Sequence, residues 1–226
     1  MSYQIPPNVC FIDIETLPDD ASVGMDLTRA PGAAAHDSDL EVRLHKWRRH
    51  SLDPLAGRVG LITIATGEAG VHVIDAADDE RAGLTELKTH IDDHYNTLRG
   101  PYDIIPTLVW VGHNGISFDF PFLQIRALKH GLPLLAAEFH QDRPWDGTLI
   151  DTLRWWPQMG SNGRPRGTLD AICAHLGIER TDNPIDGSQV LDAYVSGHWA
   201  DVVAHGVADV RDLREVYRVL AQMRGA

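Results

Sequence analysis

Asn8-Val9-Cys10-Phe11-Ile12-Asp13-Ile14-Glu15 is the stretch whose reading decides the fold. Apolar, β-prone residues run into two acids spaced two apart. In a strand, side chains alternate between faces, so Asp13 and Glu15 project from the same side. Two carboxylates held there repel one another and lose hydration unless something positive sits between them. A divalent metal is one answer. A strand that simply ends, leaving both acids in solvent, is the other. These eight residues leave the two readings level.

The composition narrows the field. At 226 residues the chain fits one domain with ample length to bury a core, and 43% hydrophobic with 23% charged residues is ordinary for a globular protein. No apolar run reaches the length of a membrane span, and the N-terminus lacks a basic segment followed by an apolar one, so the expected compartment is the cytoplasm. Cys10 and Cys173 sit in apolar contexts and read as reduced core residues. A formal charge of −12 argues against broad duplex binding, which needs many Lys and Arg contacts to phosphate. It leaves room for a local basic track.

Thr16-Leu17-Pro18-Asp19-Asp20 stops the first strand, and a basic insertion at about 19–56 follows. Asp37-Ser38-Asp39 is placed to cap a helix through Leu40, Leu44 and Trp47. That helix ends in Arg43-Leu44-His45-Lys46-Trp47-Arg48-Arg49-His50, the most basic patch in the chain. It reads as a phosphate-contacting arm, with Trp47 free to stack on a base. A solvated face with Trp47 docked on the core is the reading preferred by a small margin.

Arg58–Thr66 and Val71–Ile74 flank the turn Gly67-Glu68-Ala69-Gly70 as a hairpin. Leu84, Leu87 and Ile91 give helical spacing within 78–98, and Thr107–Gly112 reads as a strand buried on both faces. A helix is expected from about Pro121 to His130, stopped by Gly131 and Pro133, and a short fifth strand over Leu149–Leu153. Leu169–Leu176, Val190–Val195 and Trp199–Met223 read as helices, the last with a long apolar stripe. The pattern is one α/β domain.

Two further acids stand out. Asp119 falls where the chain turns from the fourth strand into a helix, bracketed by Phe118, Phe120 and Phe122. A helix-terminal charge explains Asp119 at a few tenths of a kcal/mol, roughly, but not its aromatic surroundings. Asn114, at the mouth of that turn, is suited to hydrogen-bond a phosphate or sugar oxygen. His205 and Asp209, four apart on the last helix, share one face. Taken alone, a surface Asp209 and a partly buried His205 explain them as well. Asp212 competes with Asp209, and spacing does not eliminate it.

Together these segments resemble the DEDD superfamily of 3′–5′ exonucleases. Phe11-Ile12-Asp13-Ile14-Glu15-Thr16 is similar to its first motif. Asn114-Gly115-Ile116-Ser117-Phe118-Asp119 is similar to its second, in the form found in family-B DNA polymerases, and His205 to Asp209 falls where the third belongs. Leu169-Asp170-Ala171-Ile172-Cys173 and Ile185-Asp186-Gly187 resemble segments of stand-alone polymerase-B-like exonucleases. The resemblance implies an RNase H-like fold, a mixed five-stranded sheet flanked by helices. It implies two Mg²⁺ or Mn²⁺ ions held by Asp13, Glu15, Asp119 and Asp209, and hydrolysis at the 3′ end of single-stranded DNA to nucleoside 5′-monophosphates. Hard carboxylate oxygens suit those ions, and two of them together serve phosphodiester cleavage. Thr16, Asn114, Phe118, Trp47, Arg48 and Arg49 are the expected substrate contacts. His205 occupies the position of the Tyr subclass with the side chain of the His subclass, and acts as general base if it faces the site. An RNA-directed exonuclease or oligoribonuclease, and a noncatalytic nucleic-acid-binding accessory protein, are the competing readings.

Overall fold

The structure, a computed structural model, describes residues 3–19, 45–100, 106–143, 146–161 and 163–225. Strands β1 (Val9–Pro18), β2 (Gly57–Thr66), β3 (His72–Asp75), β4 (Val109–Gly112) and β5 (Leu149–Asp151) form one sheet in the order β3-β2-β1-β4-β5. The β1–β2 and β2–β3 pairs are antiparallel, whereas β1–β4 and β4–β5 are parallel. This is the mixed five-stranded, helix-flanked architecture expected from the sequence, and β1 lies at its centre.

Alternation along β1 sorts its side chains. Ile12 and Ile14 join a core with Trp110 of β4, Leu84 and Leu87 of α1 (Glu80–Leu98), Phe120 and Phe122 of α2 (Asp119–Lys129), and Leu135 of α3 (Pro133–Glu138). Phe11 faces the other way. It packs with Val111 and with residues of two helices further along the chain, Ile172 and Leu213 among them. After the four-residue helix α4 (Thr152–Trp155) come α5 (Leu169–Leu176), α6 (Val190–Val195) and α7 (Trp199–Met223). Ile172 belongs to α5 and Leu213 to α7. Asp13 and Glu15, in step with Phe11, therefore lie on the face that α7 covers.

Several boundaries differ from expectation for identifiable reasons. Strand β1 does not stop after Glu15 but runs on to Pro18, because Thr16, Leu17 and Pro18 still pair with Val59, Arg58 and Gly57 after the register shift. Helix α2 begins at Asp119, two residues before Pro121, because a proline in the first turn sacrifices no intrahelical bond. Pro133 opens α3 rather than ending its predecessor, for the same reason. Strand β5 stops at Asp151, whose side chain accepts from Leu153 N at 3.0 Å and starts α4 instead. Cys10 and Cys173 are buried free thiols, and burial pushes them up to about 12 and about 11. Among the described residues no helix is long and apolar enough to cross a membrane.

The 19–56 insertion lies mostly outside the described residues, including its Asp37-Ser38-Asp39 cap, but both ends are fastened to one buried ion-pair network. Arg126 of α2 forks onto Glu80 of α1, with Nε to Oε1 at 2.8 Å and Nη2 to Oε2 at 2.6 Å. It also donates to Asp19 Oδ2 (3.0 Å) and to the Pro54 carbonyl (3.2 Å). Val59 N (2.7 Å) and His130 (2.6 Å) complete the set around Glu80. Burial alone raises the Glu80 carboxyl, but Arg126, Val59 N and His130 outweigh it and hold it below its ordinary value of 4.5.

Helix α7 approaches the sheet closely at Gly206. A Cβ there would meet Thr63 Cγ2 at 3.0 Å and Leu61 Cδ2 at 3.1 Å, so the helix sits as near as β2 allows.

Two outcomes follow. Arg126→Met leaves Glu80 buried without its main partner and should lower stability by about 3–5 kcal/mol in urea denaturation. Because Glu80 titrates lower folded than unfolded, its contribution is full above about pH 4.5 and fades as pH falls through its folded pKa. The wild-type–variant gap should therefore narrow on acidification, and a constant gap would refute the assignment. Gly206→Val should cost about 1–3 kcal/mol by overpacking, and should displace His205 and Asp209, read as lost activity out of proportion to lost stability.

Candidate active site

The four acids arrive from three elements. Asp13 and Glu15 come from β1, with Glu15 buried and Asp13 half-buried. Asp119 is the first residue of α2 and is buried; its Oδ1 accepts from Ile14 N at 3.3 Å, the amide between the two β1 acids. That bond pins the second motif to the first. Asp209 projects half-buried from α7.

The turn that delivers Asp119 is tightly built. Gly115 lies against Gly112 and the Phe120 ring, where a Cβ would meet atoms of both at 3.1 Å. Asn114 adopts φ of 63°, the left-handed region that asparagine tolerates better than most residues. A buried carboxylate, Asp151, gathers the turn by accepting from Asn114 N (2.9 Å) and Ile116 N (3.3 Å). His113 is held between Thr152 Oγ1 (2.9 Å) and the Gly167 carbonyl (3.1 Å).

On α7 the four-residue spacing acts as expected of a helix. His205 is buried, with Nε2 3.3 Å from Glu15 Oε1 and Nδ1 3.7 Å from Asp209 Oδ1. The Asn183 amide meets His205 Nδ1 (Nδ2 at 2.9 Å, Oδ1 at 3.1 Å), and its Nδ2 lies 3.4 Å from Asp209 Oδ1. Because an amide can present either end, Asn183 can support either imidazole tautomer. Asp212 is occupied elsewhere. It is buried and accepts from Arg180 Nε (3.0 Å), Thr181 N (3.1 Å) and Thr181 Oγ1 (3.1 Å). Arg180 also pairs with Asp170 at 2.8 Å and comes within 3.8 Å of Asp209.

Electrostatics bind the acids into one group. Burial, then the charges of Glu15, Asp119 and Asp209, push Asp13 well up. Burial followed by Asp209 and Asp119 does the same to Glu15. Asp119 is pushed up to about 7 by burial, despite the amide of Ile14 and with Asp151 adding to the rise. Burial takes Asp209 to about 7 against the pull of Arg180. His205 is lowered, first by burial. These are carboxylates arranged to repel, which fits a site for cations. Among the described residues no three His, Cys, Asp or Glu side chains already close around a single ion. Mg²⁺ requires no such cage, since it keeps waters and takes one or two carboxylates together with substrate phosphate oxygens.

Beside the acids, His205 and Asp209 line a cleft of about 830 Å³ together with Asn114, Arg180, Asn183 and Asp186. Of the expected substrate contacts, Asn114 is exposed on this cleft, whereas Phe118 is half-buried against the Phe122 ring at 5.6 Å. Thr16 is buried next to the register shift that follows Glu15. Trp47 is corrected: it is 4% exposed, docked inside the protein, and has no free face for a base. Arg48 spends its charge on Asp192 of α6 at 2.6 Å, and Arg49 is exposed. Sequence reasoning missed Asp151, Asn183, Arg180 and Gly206. Only Asp151 carried a signal, as a lone acid closing an apolar strand in the manner of Asp13.

Residues 68–226 match a family described as predicted 3′–5′ exonucleases related to the exonuclease domain of PolB. The PolC-type DNA polymerase III of Mycoplasma genitalium is 29% identical over 133 residues, covering 57% of this chain and 7% of that polymerase. The family-B DNA polymerase of Pyrobaculum calidifontis superposes with a TM-score of 0.63 at 19% identity, over 94% of this chain and 24% of its own. Exonuclease I of Methylocaldum szegediense gives a TM-score of 0.47 at 14% identity, over 96% of this chain and 40% of its own. The chain thus spans a small fraction of the polymerases it resembles. It belongs to the family of 3′–5′ exonucleases related to the exonuclease domain of PolB.

Proposed function

We propose that the protein is a metal-dependent 3′–5′ exonuclease that shortens single-stranded DNA from its 3′ end and releases nucleoside 5′-monophosphates. The observation that carries this reading is the convergence of Asp13, Glu15, Asp119 and Asp209 around the middle of one buried strand, with His205 among them. Membership of the exonuclease family supports the reaction class, and the polymerase relatives support DNA over RNA as substrate.

In this reading Asp13, Glu15, Asp119 and Asp209 hold two Mg²⁺ or Mn²⁺ ions. Bound there, such ions neutralise phosphate charge, activate water and stabilise the departing 3′ oxygen. Ile14 N holds Asp119 beside the β1 acids, so the donors are positioned before substrate arrives. His205, whose burial lowers its pKa, offers an imidazole nitrogen next to Glu15 to take the proton of the attacking water. Asn183 fixes the ring through the other nitrogen. Asn114, exposed on the cleft, meets the terminal nucleotide.

Two experiments test this. With Mg²⁺ or Mn²⁺, wild-type protein should release mononucleotides from a 3′-labelled single-stranded oligonucleotide; chelation or Asp13→Ala should abolish release. Equal activity of the variant, or inactivity of the wild type with both ions, would overturn the proposal. Asp209→Asn should inactivate, while Asp212→Asn, which still accepts from Thr181 N, should keep most of its activity. The reverse ranking would exchange the two roles.

A further inference from the structure

The cleft beside His205 and Asp209 does not end at Asn114. Asn114 and Leu153 also line a second chamber of about 350 Å³, whose other walls include Ser117, Arg154, Arg164 and Pro165. Asp151 and Arg154 in turn line a third chamber of about 620 Å³, with Phe120, Gln124, His140 and Gln141. The three chambers share lining residues in sequence, Asn114 and Leu153 between the first two and Asp151 and Arg154 between the last two, around the Asn114–Ser117 turn.

The middle chamber is basic in a chain of net charge −12. Among its described lining residues the one acid, Asp151, has a side chain only 1% exposed, and its oxygens serve the amides of Asn114, Ile116 and Leu153. Arg154 is 48% exposed and held loosely, 3.5 Å from Ser117 Oγ and 3.6 Å from Asp151 Oδ2. Arg164 is exposed on the same chamber. In the third chamber, the Gln141 amide nitrogen is buried and has no hydrogen-bond partner among the described residues, beside the half-buried Ile116, Pro121 and Trp155 and the exposed Asp142. Two exposed arginines, a buried amide donor and half-buried apolar side chains suit a polyanion that carries flat bases.

We infer that these chambers form a track that holds the strand upstream of the 3′ end, with Arg154 and Arg164 on successive phosphates and the far chamber receiving a base several nucleotides from the cut. The inference rests on the exonuclease reading for its direction only. It moves the phosphate contacts from the Trp47–Arg49 arm to the segment between β5 and α5.

The test is the full chain with Arg154→Ala and Arg164→Ala combined, checked for an unchanged melting temperature. In wild type, KM should fall as oligo(dT) lengthens from two nucleotides, then level off. In the double variant that fall should be largely lost, with KM on a long strand raised roughly tenfold. Its dependence of log KM on log salt should be shallower by about 1.4, from two contacts at about 0.7 each. Hydrolysis of thymidine 5′-(4-nitrophenyl) phosphate, too short to reach the track, should be unaffected. An equal loss on that ester, an unchanged KM on long strands, or no length dependence in wild type would overturn the track. Anisotropy of fluorescein-labelled dT12 in EDTA separates the two proposals. Binding weakened by the double variant, in a protein that cleaves nothing, supports the track and sinks only the exonuclease reading. Displacement by poly-glutamate as effective as by dT12 at equal charge would overturn the nucleic-acid assignment.

Discussion

Four carboxylates held against their mutual repulsion are the constraint to which the rest of this structure answers. Left to themselves, Asp13, Glu15, Asp119 and Asp209 would separate or take up protons, and burial with crowding drives each of them toward the protonated form. They stay together because each is anchored by something stiffer than a side chain. Two stand on the central strand of the sheet, one begins a helix, and one lies on a helix whose opposite end is packed into the core.

Each anchor has its own device. The approach of α7 to β2 depends on the missing side chain at Gly206, adjacent to His205. The turn before Asp119 depends on Gly112 and Gly115 touching and on Asp151 collecting its amides. The Glu80–Arg126 pair locks α1 to α2 from behind and ties in both ends of the insertion. Buried ion pairs of this kind are costly to break once formed, so a pair that adds little net stability still resists rearrangement of α2 and the acid at its tip.

Much of this was legible in the chain. Strand alternation placed Asp13 and Glu15 together, the apolar run over 107–112 marked a strand buried on both faces, and the α5, α6 and α7 boundaries followed from hydrophobic spacing. What escaped depends on contacts between distant segments. Nothing local separates Asp209 from Asp212; Arg180 and Thr181, about thirty residues away, do so by occupying one of them. Trp47, among six basic or His residues of its patch, was only narrowly read as docked; on a helix the adjacent residues point elsewhere, and burial of one large ring outweighs the polarity beside it. Asn183 lies in a loop with no periodicity to mark it.

The position of His205 shows why spacing outranks residue type here. Four residues on a helix return to nearly the same face, whereas five rotate the side chain further round by about 100°. At four before Asp209, an imidazole shares that acid's face and reaches Glu15 across the interface with β1. Two features hold the imidazole there. Gly206 lets the helix backbone come down onto the sheet, and the loop through Asn183 closes over the ring from outside. The contact of His205 with Glu15 thus depends on the glycine that follows it, whose missing side chain lets α7 come down onto β2.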